Sequence, residues 1–301
     1  NSTHISSMSC NSTTVGSSSS TTLLTENFND NNFASRGWYD NTETIVQSTE
    51  ARSGSAAEFH YTQGSETPIG NPAAMRHLFT ESESVYVSYW VKYSSNWEGS
   101  NLPFHPHEFQ ILTNQDSDYL GPAVSHLTAY IEQNEGSPLL GLQDSSNINT
   151  AQGTPPNNLI GTTENRAVAG CNGEINDGST VHDCYWSGSE WRNGKAFKTI
   201  QQYFSDSPGT NYKNNWHHVE AYFKLNTISG GIGQPDGIVQ YWYDGQLIIN
   251  SNNVYMRTGQ YPNMKFKQFI IGNYIGGTFG NPGSPIDQTY WVDDLTIATS
   301  P

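Results

Sequence analysis

From Leu23 onward, apolar and polar residues alternate in short runs that are broken by Gly, Asn, Pro and Asp. Successive side chains of a strand point to opposite faces, so a period of two marks a strand buried on one side. The pattern predicts strands over Ser84–Tyr93, Val124–Glu132, His217–Leu225, Ile238–Ile249, Phe266–Ile271 and Tyr290–Ala298. In His217–Leu225 the odd positions are Val219, Ala221, Phe223 and Leu225, and the even ones are His218, Glu220, Tyr222 and Lys224. Val85, Val87, Tyr89, Val91 and Tyr93 oppose Tyr86, Ser88, Trp90 and Lys92 in the same way. Leu127, Ala129 and Ile131 oppose His126, Thr128, Tyr130 and Glu132, while Phe109 and Ile111 oppose Glu108 and Gln110. One greasy face per strand requires a second layer to cover it. No segment shows a sustained helical period with caps. The prediction is all-β: a two-sheet antiparallel β-jelly-roll sandwich, with long loops on one rim from about residue 133 to 213. Residues 23–301 read as a single jelly-roll domain, and residues 1–22 as a Ser/Thr-rich N-terminal arm.

Charge narrows the partners. The chain carries a formal net charge of −15, with only 14% charged residues. It lacks the basic stripe that offsets phosphate repulsion, which argues against nucleic acid. No apolar run is long enough for a membrane span. Low Lys content, abundant Asn, Ser, Thr, Tyr and Trp, and three cysteines point to an extracellular protein. Cys171 and Cys184 bracket a polar loop, CNGEINDGSTVHDC. A disulfide there would contribute roughly 3 kcal/mol by restricting the unfolded chain; the alternative is two free thiols. Cys10 and the two Asn-x-Ser/Thr patterns, at Asn1 and Asn11, lie in the arm. An arm of this composition cannot bury enough apolar surface to order itself. Addition to a neighbour's sheet would order it and make the protein a subunit of an extracellular filament or sheath, joined by self-association through residues 1–22.

The polar faces are rich in aromatic rings and histidine, which suits a carbohydrate. Rings stack on sugar C–H faces, while amides and carboxylates bond hydroxyls. Tyr86, Trp90, Glu108, Glu220, Lys224 and Trp242 are the candidate polysaccharide contacts. The plainer reading is a wet outer face with ordinary cross-strand pairs. Glu108 with Glu220 is a possible hydrolytic carboxylate pair if the two stand about 5–9 Å apart. His105 and His107 are a possible metal pair, or part of a loop between prolines.

Several segments, in order, resemble the concanavalin A-like lectin/glucanase jelly rolls, and within them the polysaccharide-lyase-like members. They are ENFND, GWYD and ARSGSAAEF between Glu26 and Phe59, then WHHVEAYFKLN, DGIVQYWYDGQLI, FIIGNYIGG and YWVDDLTI, which ends at Ile297. The resemblance implies a structural Ca²⁺ held by Glu26, a carbonyl near Ser53-Gly54, and Asp294. The Glu-x-Asp-x-x-Glu run of the glucanase members is absent. A lyase needs a base, an acid, and a group that neutralises the uronate carboxylate. His126 or His218 is the candidate base, Tyr130 or Tyr222 the acid, and Gln110, Arg76 or Lys224 the carboxylate partner.

Overall fold

The computed structural model describes residues 20–42, 46–68, 75–101, 106–115, 127–134, 137–144, 184–187, 190–198, 212–257, 259, 261–276 and 283–301. These form two eight-stranded antiparallel sheets. The first sheet runs in the order β16 (Gln246–Val254), β15 (Gly237–Tyr243), β12 (Trp216–Lys224), β6 (Ser84–Tyr93), β18 (Gln288–Ala298), β4 (Ala56–Tyr61) and β3 (Val46–Ser48). β1 (Thr22–Glu26) also pairs with β18. The second runs β10 (Cys184–Ser187), β11 (Glu190–Lys198), β9 (Ser137–Asp144), β8 (Thr128–Asn134), β7 (His107–Thr113), β17 (Phe266–Ile271), β5 (Met75–Ser82) and β2 (Trp38–Asp40). A separate hairpin joins β13 (Ile228–Ser229) to β14 (Ile232–Gly233). The described residues include a 3-10 turn at Phe33–Arg36 and no α-helix, hence no helix able to cross a membrane.

The alternation sets the packing. Every odd residue of β6 is buried and every even one is partly exposed, and β12 repeats the pattern up to the exposed Lys224. From the second sheet, Phe109, Ile111, Ala129, Ile131, Leu140, Leu142 and Phe269 meet them in the core. Rings pack across and within the layers: Tyr89 of the first sheet meets Phe109 of the second edge-on at 4.7 Å, and Phe109 meets Phe269 of its own sheet at 5.1 Å. Such tilted and edge-on contacts favour the electropositive rim of one ring over the face of the other.

Three expectations change. The strand expected over Ile238–Ile249 is a hairpin, β15 and β16, because Asp244 and Gly245 both take positive φ (49° and 76°) and reverse the chain. The region from about 133 to 213 contributes β9, β10 and β11 rather than loops alone. Thr22, assigned to the arm, opens β1, and the two residues before it are also tied to the C-terminal end of the chain. Ser20 Oγ donates to the Ser300 carbonyl at 2.7 Å, and the Thr21 and Thr299 backbones are bonded. The rest of the arm, Cys10, Cys171, His105 and His126 lie outside the described residues, as does the expected self-association.

A fourth change bears on function. β6 and β12 belong to the first sheet, and β7 and β8 to the second. The polar faces expected to line up therefore look out from opposite sides of the sandwich. His218, Tyr222, Tyr86, Trp90, Glu220, Lys224 and Trp242 stand on one side, and Gln110, Tyr130 and Arg76 on the other.

Candidate active site

On the outer face of the first sheet the polar groups satisfy one another. The Tyr86 hydroxyl donates to Glu220, Ser88 Oγ lies 2.8 Å from His218 Nε2, and His218 Nδ1 lies 3.5 Å from Glu220. The Arg52 guanidinium covers the Trp90 ring at 3.6 Å, and the His218 ring lies 5.0 Å from it. Trp90 is therefore covered rather than held out as a stacking platform, contrary to its expected role. Lys92 pairs with Glu50 at 2.7 Å, and Trp291 donates to Glu58 at 2.7 Å. Ser88, His218 and Glu220 have the order of a nucleophile triad. Ser88 lies within a strand paired on both sides, however, with partners Glu220 and Thr296. Its backbone is committed to the sheet and offers no oxyanion donor. This face carries the cross-strand pairs of a structural surface.

The outer face of the second sheet is different. Along one register row stand Tyr39, Arg76, Ile270, Gln110, Tyr130 and Gly141. His107 joins them because β7 is bulged: His107 pairs with Glu132, but Phe109 pairs with Ile131, leaving Glu108 as the extra residue. A bulge places two consecutive side chains on one face and re-aims the next. Here Glu108 turns into the core with Phe109, and its carboxylate accepts the hydroxyls of Tyr89 and Tyr93 from β6. Glu108 is thus not a sugar contact, and it cannot pair with Glu220, which faces outward from the other sheet. Burial pushes its carboxyl up to about 7, against the two tyrosine hydrogen bonds, which lower it.

His107, turned outward, is paired with Glu132 through Nε2. Its ring lies 4.3 Å from that of Tyr130 and 4.4 Å, edge-on, from that of Tyr274. Gln110 Nε2 lies 3.4 Å from His107 Nδ1. Opposite Tyr130 is Gly141, where a Cβ would stand 3.3 Å from Tyr130 Cδ2, so the absent side chain gives the ring its room. Arg76 pairs with Asp40 at 2.8 Å and donates to Gln268 Oε1 at 2.5 Å. Arg76, His107, Glu132, Gln268 and Asn273 are each at most 5% exposed. Among the described residues, Arg76 Nη2, Gln268 Nε2 and both side-chain polar atoms of Asn273 are buried without a hydrogen-bond partner. Buried polar atoms are nearly always paired, so these orphans set this face apart as one whose polar groups the described residues do not satisfy. Among the described residues, none of the buried unpaired atoms stands on the first sheet's outer face.

No protein-family model and no curated protein sequence matches the chain. Solved structures do. An alginate lyase from a Chlorella virus superposes with a TM-score of 0.53 at 13% identity, over 93% of this chain and 100% of that one. The fold is a two-sheet jelly roll. A marine alginate lyase from Aplysia kurodai gives 0.48 at 15% identity, over 93% and 100% of the two chains. An endo-β-1,4-glucuronan lyase from Trichoderma reesei gives 0.47 at 14%, over 85% and 87%.

In this jelly roll the residues named for Ca²⁺ do not fit the ion. Both Glu26 oxygens are taken: Arg36 Nε and Trp38 Nε1 donate to Oε2 at 2.8 and 3.0 Å, and Arg36 Nη2 and the Phe28 amide to Oε1, each at 3.0 Å. A guanidinium clamped on the carboxylate occupies the place of a cation. Asp294 pairs with Arg52 at 2.9 Å. Among the described residues no group of three His, Cys, Asp or Glu is arranged for a metal. Of the residues read from sequence, Gln110, Tyr130 and Arg76 share the second sheet's face, and His218, Tyr222 and Lys224 stand across the sandwich. His107 was read as a loop or metal residue, and Tyr274, Gln268 and Asn273 were not singled out. No local signal marks His107, because regular alternation sends Glu108 outward and His107 inward.

Proposed function

We propose that the protein is an extracellular polysaccharide lyase that acts by β-elimination on a uronate-containing glycan, on the outer face of the second sheet. The observation that carries this reading is the cluster of His107 with Glu132, Tyr130, Gln110 and Arg76, surrounded by buried, unpaired polar atoms. Elimination removes the proton alpha to the uronate carboxylate, breaks the bond to the leaving glycosidic oxygen, and leaves a double bond in the sugar. His107 is the base through Nδ1, the nitrogen beside Gln110, because Nε2 is taken by Glu132. Tyr130 is the acid that protonates the leaving oxygen. The Gln110 amide, beside His107, bonds the carboxylate and so stabilises the enolate-like intermediate. Arg76 stands two strands from Gln110, roughly 9–10 Å away, and adds a buried positive charge beneath this face. The structural neighbour from a Chlorella virus is an alginate lyase, which supports a polyuronate as the substrate class.

The test is incubation with alginate, glucuronan and related polyuronates while following the ultraviolet absorbance of the unsaturated product. Absence of product with every polyuronate would refute the reading. His218→Ala and Tyr222→Phe, on the other sheet, should each stay within about twofold of the parent rate, as expected for distant, independent sites.

Charge makes a further expectation. At −15 the chain repels a polyanion. Raising ionic strength from about 0.01 to 0.15 M shortens the screening length from about 30 to 8 Å. kcat/KM should therefore rise over this range. A fall would show that a locally positive groove dominates.

A further inference from the structure

We propose that Glu108 is a positioning residue: its carboxylate, held between the sheets by Tyr89 and Tyr93, maintains the bulge that turns His107 outward to Glu132 and Tyr130. The catalytic part of this inference rests on the lyase reading; the geometric part does not.

The argument starts from parity. Ile111 and Phe109 point inward, so regular alternation would send Glu108 outward beside Gln110 and push His107 into the core. The structure does the reverse: Glu108 is 1% exposed and His107 lies against Tyr130 and Tyr274. Burying a carboxylate carries a desolvation penalty that an aliphatic side chain would avoid. Among the described residues its hydrogen-bond donors are the two tyrosine hydroxyls, both from the opposite sheet. These bonds are available only when residue 108 faces inward, so they select the bulged register over the regular one. The extra residue is absorbed between His107 and Phe109, and His107 is the side chain that it redirects. Phe109 holds the same segment from the other side, edge-on against Tyr89.

The test compares three variants by long-range ¹H–¹⁵N imidazole spectra and by kinetics. In the parent protein His107 should show a protonated Nε2 and an unprotonated Nδ1. Glu108→Gln keeps a partner for each tyrosine hydroxyl and should retain that signature, with kcat within about threefold. Glu108→Val should lose the signature and at least about 100-fold in kcat, the size of a lost acid–base group, with a much smaller change in KM. That variant strands two buried hydroxyls and can fail to fold, so Glu108→Val with Tyr89→Phe and Tyr93→Phe removes them as well. The triple variant should be folded and show the same losses. An unchanged His107 spectrum in either folded valine variant overturns the proposal. If the parent has no lyase activity while the spectra change as stated, the proposed function fails and the positioning role stands.

Discussion

Tyr130→Phe is expected to lower kcat by about 10²–10⁴-fold, the usual contribution of a general acid, while leaving the melting temperature nearly unchanged. The substitution removes one oxygen and keeps the ring that packs against His107 at 4.3 Å and fills the space above Gly141. KM should change little, because the hydroxyl matters most when the glycosidic oxygen departs rather than when substrate docks. Steady-state rates on the polyuronate that the parent cleaves, together with calorimetry of both proteins, check this. A phenylalanine variant of parental activity would remove Tyr130 from the mechanism. The choice of Tyr130 over His107 for this test is deliberate. Removing the imidazole would break the buried His107–Glu132 pair, and breaking a buried pair typically costs about 3–5 kcal/mol of stability.

The second large effect is on stability against pH. The Glu108 carboxyl is pushed up by burial from 4.5 to about 7. Between these values the native state holds a proton that the unfolded chain has released. Unfolding then releases protons, so stability falls as pH rises through this window and levels off above about 7. A displacement of this size corresponds to about 3 kcal/mol. Glu108→Gln carries no titrating group and should lack this component. The difference in melting temperature between variant and parent should therefore grow by roughly 5 °C from pH 5 to pH 8, in favour of the variant. A constant difference across that range would mean that Glu108 is ionised in the core at every pH tested.

The sequence conveyed some of this and hid the rest for identifiable reasons. Alternation located β6 to the residue and identified the buried side of β12, because one face of each strand meets the core and the other does not. Alternation does not say which sheet a strand joins. Two polar faces of matching character were thus placed together, although β6 and β12 lie across the sandwich from β7 and β8. Pairing between distant segments decides that, and nothing local encodes it. The bulge in β7 was hidden for a related reason: HEFQIL reads as regular alternation, and only the tyrosines of β6 make the inward carboxylate favourable. β9 escaped notice because SPLLGLQD has a short apolar run that carries no period. In the site, Gln110 and Tyr130 were legible as polar groups on strands, whereas Arg76 lies on β5, which the alternation did not predict. Asn273 and Tyr274 were not, since they follow β17 in a stretch without periodicity.

The hydrogen bonds that tie Ser20 to Ser300 and Thr21 to Thr299 place the two described ends of the jelly roll side by side on one ladder. β1 then runs antiparallel to β18 from Thr22 opposite Ala298 to Glu26 opposite Leu295. Tension applied at these ends would load the ladder one rung at a time, as when a zipper is opened from its tab. β1 should therefore peel away at low force, with the sandwich behind it still intact. A tether attached at Ser20 would act as a mechanical fuse, giving way before the face that carries His107 and Tyr130 feels the strain.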